Sequence, residues 1–149
     1  MQETYMITAL KEAIKSFNEG EIPVGAVIVD STSGEILAKA HNKTECSKNP
    51  TAHAEILAIL DACKIKNSPR ITECDMYVTL EPCPMCAQAI SFARIRRLYF
   101  GAYDKKGGGV EHGAKIFNAA SCHHRPDIYG GIKESESSKL LQDFFANRR

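Results

Sequence analysis

Cys83 and Cys86 stand three apart at the head of an apolar run, Ala87-Gln88-Ala89-Ile90-Ser91-Phe92-Ala93. In a helix that spacing puts both sulfurs on one face of the first turn, where they can clamp a single metal ion. Upstream, Thr51-Ala52-His53-Ala54-Glu55 opens a second apolar helical run. Its imidazole can supply a third ligand while the Glu55 carboxylate stays free beside it. Closed structural zinc sites use four protein ligands, so a set of three leaves one position open for chemistry. A fold that serves these residues must bring two helix starts together.

The chain has 149 residues, which is one domain's worth and enough to bury about 70% of the surface that the unfolded form exposes. Its net charge of +1 argues against a nucleic-acid binder that works by global electrostatics, so any such contact must come from local basic clusters. Met1-Gln2-Glu3-Thr4 carries neither a basic segment nor an apolar core of a leader, and no apolar run approaches the roughly 18 residues of a membrane span. A cytoplasmic protein is expected. Of the cysteines at 46, 63, 74, 83, 86 and 122, only Cys83 and Cys86 are spaced for shared work.

Along the chain, Met6, Leu10, Ala13, Ile14 and Phe17 recur at helical spacing and predict a helix over residues 3 to 18, stopped at Gly20 and Pro23. Residues 24 to 29 read as a strand covered on both faces, and 35 to 40 as its hairpin partner across the loop Asp30 to Gly34. Thr51 is a candidate N-cap for a helix through Leu60. Strands follow at 75 to 80 and 96 to 101, with the cysteine helix between them. Gly107-Gly108-Gly109 marks a mobile loop, residues 114 to 121 are weakly helical, 127 to 129 suit a short edge strand, and 134 to 149 suit a final helix. Two strand-helix-strand crossovers in succession predict an α/β sheet with parallel pairs and helices on both faces. Ligand sites in such sheets lie at the carboxyl ends of strands, near where both motifs begin. No repeat or second domain breaks residues 1–149.

Two thiolates and a neutral imidazole leave bound zinc formally uncharged, a tempered Lewis acid whose water needs help. Glu55 is placed to take that proton and to pass it to a leaving group. Hydroxide on zinc with a proton shuttle suits attack at an sp² carbon that expels an amine.

His53-Ala54-Glu55 followed by Pro82-Cys83-Pro84-Met85-Cys86 resembles the H-x-E and P-C-x-x-C signature of the zinc-dependent cytidine and deoxycytidylate deaminase superfamily. Ile22 to Val27, Tyr77 to Cys83, Phe100 to Asp104 and the terminal Phe144-Phe145 with Arg148-Arg149 extend the resemblance over nearly the whole chain, toward the bacterial tRNA-specific adenosine deaminases. The resemblance implies a three-layer α/β/α fold with a mixed five-stranded sheet, one Zn²⁺ per subunit, a homodimer, and conversion of adenosine to inosine at the wobble position of a tRNA anticodon loop. By matching position it implies His53, Cys83 and Cys86 as zinc ligands, Glu55 as proton shuttle, and Asn42, Ala54, Asp104 and Lys106 as substrate-binding residues. Arg125, Phe145, Arg148 and Arg149 are candidate RNA contacts. The sequence departs from that pattern at Tyr103, where arginine is usual, at Val110-Glu111-His112-Gly113, and at Ala146-Asn147.

Two rivals stay open on sequence alone. One is a zinc deaminase of a free base or nucleoside. The other is a non-catalytic zinc module that binds RNA, with Cys46, Cys63 or Cys74 closing the metal site. Arg94, Arg96 and Arg97 are most simply a solvated strand entrance, and His112, His123 and His124 surface residues, the latter two with Arg125 near RNA.

Overall fold

The computed structural model describes residues 2–147. Within them the chain runs α1 (Gln2–Asn18), β1 (Gly25–Asp30), β2 (Ile36–His41), α2 (Ala54–Lys66), β3 (Cys74–Leu80), α3 (Pro84–Ala93), β4 (Arg97–Ala102), β5 (Asp127–Tyr129) and α4 (Glu134–Ala146). The strands form one sheet in the order β2-β1-β3-β4-β5. β1 is antiparallel to both neighbours, whereas β3, β4 and β5 are mutually parallel. This is the mixed five-stranded sheet that the resemblance implied.

Alternation along each central strand sorts the core into two layers. Ala26, Ile28, Met76, Val78, Leu98 and Phe100 point toward α2 and α3, where Ala54, Ala58, Ala87 and Ile90 close the larger core. Their neighbours Val27, Val29, Tyr77 and Tyr99 point the other way, onto Tyr5, Met6 and Ala9 of α1. A strand buried on both faces must be apolar at successive positions, and β1 is. Small residues let the helices approach. A Cβ on Gly25 would run into the Ala9 carbonyl and the Ala13 amide, so α1 can lie directly on β1 only because that atom is absent.

Several sequence expectations need correction. α2 begins one turn's edge later than Thr51: its N-cap is His53, and Thr51 instead donates its amide to the Asn49 side chain at 2.9 Å. The weak helix over 114–121 is a single 3₁₀ turn, Ile116–Asn118, and α4 ends at Ala146. The triple glycine, expected to be mobile, is tied down: Gly108 donates to the Asp104 carbonyl at 3.0 Å and Gly109 to that of Pro82 at 2.8 Å. Arg96 is not merely solvated, since its Nε and Nη2 grip both oxygens of Asp75 at 2.9 and 2.7 Å. His124 holds the Ile95 carbonyl through Nε2 at 2.6 Å. Among the described residues no helix is long and apolar enough to cross a membrane.

Candidate active site

The carboxyl ends of β2, β3 and β4 lie side by side with the start of β1 between the first two, because Gly25 pairs with His41 and Leu80 with Ala102. Each strand hands its next residues to the rim of one cavity of about 220 Å³. β2 delivers Asn42 and β4 delivers Asp104. β3 runs into Glu81-Pro82-Cys83, and Ile22 and Val24 wall the side ahead of β1.

The floor is made by two helix starts. His53 is the N-cap of α2 and Cys83 the N-cap of α3, with Pro84 at the first position of α3, where its missing N–H costs nothing. Cys86 sits in the first turn of the same helix and is fully buried. Nδ1 of His53 lies 3.6 Å from the Cys83 sulfur and 3.5 Å from that of Cys86. One donor atom from each of the three falls within 4.8 Å of the others, the compass of a single ion. Cys46, Cys63 and Cys74 do not join this group, so nothing among the described residues fills a fourth corner. Two sulfurs and one imidazole nitrogen are the donor set that zinc prefers.

The thiols do not share a proton evenly. The Cys86 hydrogen bond, with His53 helping, brings Cys83 down to about 4, while the Cys83 hydrogen bond and burial push Cys86 well up. Both helix N-termini favour negative charge at this point. Through its hydrogen bond to Cys83, His53 has its pKa raised, so protons compete with a metal for this nitrogen.

Glu55, in the first turn of α2, is 4% exposed. Burial lifts its carboxyl to about 7, opposed by its own backbone amide and reinforced by the Cys83 charge. A carboxyl balanced near neutrality can both accept and return a proton, which suits general acid and base work. Asn42 is buried as well. Its Nδ2 donates to the Ile22 carbonyl at 3.4 Å, and its buried Oδ1 has no partner within the protein.

Thus Asn42, His53, Ala54, Glu55, Cys83 and Asp104 line one cavity with Cys86 beneath. Lys106 is exposed on the neighbouring loop and does not line it, while Arg125 is exposed elsewhere. Phe145, half exposed, borders a separate shallow groove on α4. Arg148 and Arg149 lie outside the described residues. Sequence reasoning missed Thr44 and Gly107 as lining residues and overlooked the buried carboxylates of Glu21 and Glu81. The sequence does not distinguish a Glu side chain that accepts many hydrogen bonds from one that faces water.

Comparisons with known proteins agree with this geometry. Residues 1–102 match the family described as the cytidine and deoxycytidylate deaminase zinc-binding region. A tRNA-specific adenosine deaminase of Agrobacterium fabrum is 50% identical over 97% of this chain and 94% of its own length. A structure from a study of A-to-I editing by tRNA:A34 deaminases at the wobble position of transfer RNA superposes with a TM-score of 0.90. It is 50% identical and covers 93% of this chain and 99% of its own. A guanine deaminase from Bacillus subtilis is more distant, with a TM-score of 0.66 at 32% identity, over 98% of this chain and 92% of its own.

Proposed function

From the premise that this chain belongs to the cytidine and deoxycytidylate deaminase family, and within it to the tRNA-specific adenosine deaminases, we propose that it hydrolyses adenosine to inosine at position 34, the wobble position of a tRNA anticodon loop. The observation that carries this reading is the His53, Cys83 and Cys86 triangle on the cavity floor with the buried Glu55 carboxylate beside it. The whole of residues 1–149 acts as one deaminase domain in this reading.

His53, Cys83 and Cys86 would hold the zinc, which when bound would supply Lewis-acid activation of water. Glu55, buried beside that site, would take the proton of the attacking water and deliver it to the purine ring nitrogen as the oxygen bonds to C6. It would then carry the remaining proton from the hydroxyl on C6 to the amine as the C6–N bond breaks and the C6 carbonyl forms, so that adenosine and water become inosine and ammonia. Asn42 on the cavity wall is the side chain assigned to the purine edge, and Ala54 opens α2 with a backbone N–H that has no intrahelical acceptor. The cavity is smaller than the roughly 300–1,000 Å³ of a drug-sized ligand site. That favours a single base turned out of a loop, and unpaired loops release bases most cheaply. Asp104 on the rim and Lys106 on the loop beside it, together with Arg125, Phe145, Arg148 and Arg149, are the candidate contacts to the rest of the RNA.

The protein acts as a homodimer in this reading. Leu60 and Ile65 on α2 and Met85 and Phe92 on α3 expose apolar surface, with Phe92 72% exposed, and this supports a second copy on that side of the sheet. A tRNA substrate puts the work in the cytoplasm.

The deciding test offers the zinc-loaded protein an anticodon stem-loop with A at the wobble position, free adenosine, and guanine. Inosine from the stem-loop far in excess of either free compound supports the reading. Efficient guanine turnover with an untouched stem-loop would instead make it a free-base enzyme, and no ammonia from any of them would leave a non-catalytic module.

A further inference from the structure

The loop after β4 leans on one side chain. Glu81 has no exposed side-chain surface, and its two oxygens are filled by donors from a single segment. Oε1 accepts from the Asp104 amide at 3.0 Å and from Nδ1 of His112 at 2.9 Å. Oε2 accepts from the amides of Val110, Glu111 and His112 at 3.2, 2.9 and 3.0 Å. Glycine makes the approach feasible, because a Cβ on Gly108 would strike the Glu81 carboxylate and one on Gly109 would strike Pro84. His112 is backed by Tyr103, edge-on at 6.0 Å, which is itself edge-on to Phe100 at 5.1 Å. Tyr103 and His112 are two of the positions where this sequence departs from the family pattern, and they pack on each other.

A buried carboxylate with every lone pair engaged has nothing left to offer substrate, and it cannot carry protons without releasing the loop. Its effect is on placement. The segment it holds bears Asp104 and Lys106, and Asp104 continues the order outward by accepting from the amides of Lys106 and Gly107 at 3.1 and 2.8 Å.

We propose that Glu81 is a positioning residue for RNA recognition: through five hydrogen bonds, with His112 as its one side-chain donor, it presets the 104–112 loop in the shape that grips the anticodon nucleotides. This rests on the reading above that Asp104 and Lys106 meet the RNA. A loop fixed in advance spares binding the cost of ordering it, so losing the anchor weakens capture of RNA and leaves the chemical step alone.

The test uses Glu81→Gln, His112→Ala and His112→Asn in the zinc-loaded protein, with KM and kcat on the wobble-A stem-loop, zinc content, and hydrogen exchange at residues 104–112. Glu81→Gln puts an NH₂ group against backbone donors. It is expected to raise KM about tenfold or more and to speed exchange in the loop, with kcat within about threefold and zinc unchanged. His112→Ala is expected to raise KM about threefold, and His112→Asn, which keeps a side-chain N–H at the same distance from the backbone, to recover most of it. A Glu81→Gln protein with lowered kcat at parental KM, with lost zinc, or with parental KM and exchange overturns the proposal. Should that variant not fold, the His112 pair decides: no rise in His112→Ala, or no recovery in His112→Asn, overturns it. If the parent itself leaves the stem-loop unconverted, the tRNA reading fails, and loop exchange in the variants still decides whether Glu81 holds the segment.

Discussion

Nδ1 of His53, at the head of α2, lies 3.6 Å from the sulfur of Cys83, at the head of α3. Two crossovers that leave different strands therefore end on one point, and a metal there ties them together. Stripping zinc with a chelator is expected to abolish inosine formation and to lower Tm, because an ion that binds only the folded form stabilises it by mass action. Protons compete for both sulfurs and the imidazole, so zinc retention against a fixed chelator is expected to fall as pH falls. Zinc per chain in Cys83→Ser and Cys86→Ser, measured by atomic emission, checks the ligand set. Full occupancy in either variant would contradict it.

Glu55→Ala is expected to keep its zinc and to lose kcat by roughly 10²-fold to 10⁴-fold, the range associated with losing a general acid and base. Single-turnover rates on a stem-loop measure this. A rate near the parent's would remove Glu55 from proton transfer.

Asn42 lines the cavity wall, and its buried side-chain oxygen has no protein partner. With Asn42 assigned by the proposed function to hydrogen-bond the base, Asn42→Ala is expected to lower kcat/KM by about tenfold with zinc content unchanged. Equal kcat/KM in variant and parent would make Asn42 a turn residue and no more.

Glu12, Glu21 and Glu81 are all buried, and burial alone would raise their pKa values. Hydrogen bonds from Lys15 and His41, from the Cys46 and Glu45 amides, and from the Asp104 to His112 loop outweigh it, so each lies below the usual 4.5. The unfolded chain then binds more protons than the folded one in acid. Their contribution is complete above pH 4.5 and is lost as pH falls through the lower folded values. Tm is expected to drop on acidification below about that pH, and Glu21→Gln, which takes up no proton, to show a shallower drop from a lower starting Tm. Identical Tm profiles for parent and Glu21→Gln would contradict the assignment.

The strands and their two-sided burial were legible because alternation is a local property: Ala26, Ile28, Val27 and Val29 sort themselves by parity. The His53, Cys83 and Cys86 cluster was legible because a three-residue spacing puts two sulfurs on one face of a helix's first turn, and few residue types can join them at a metal. The start of α2 was not, since Thr51 has the right chemistry for a cap but Asn49 takes its amide. Glu21 and Glu81 were illegible for a deeper reason. Their donors come from residues 45–46 and 104–112, distant segments that only the folded sheet edge brings to them. Sequence spacing reports what a helix or strand aligns, and these carboxylates are satisfied by loops.

Reading inosine directly in a full tRNA that carries adenosine at the wobble position is the most direct measurement. After incubation with the zinc-loaded protein, reverse transcription is expected to report guanosine in place of adenosine at position 34 and at no other adenosine. Adenosine still read at position 34, from protein that holds its full zinc, would contradict the assignment of this site to tRNA deamination.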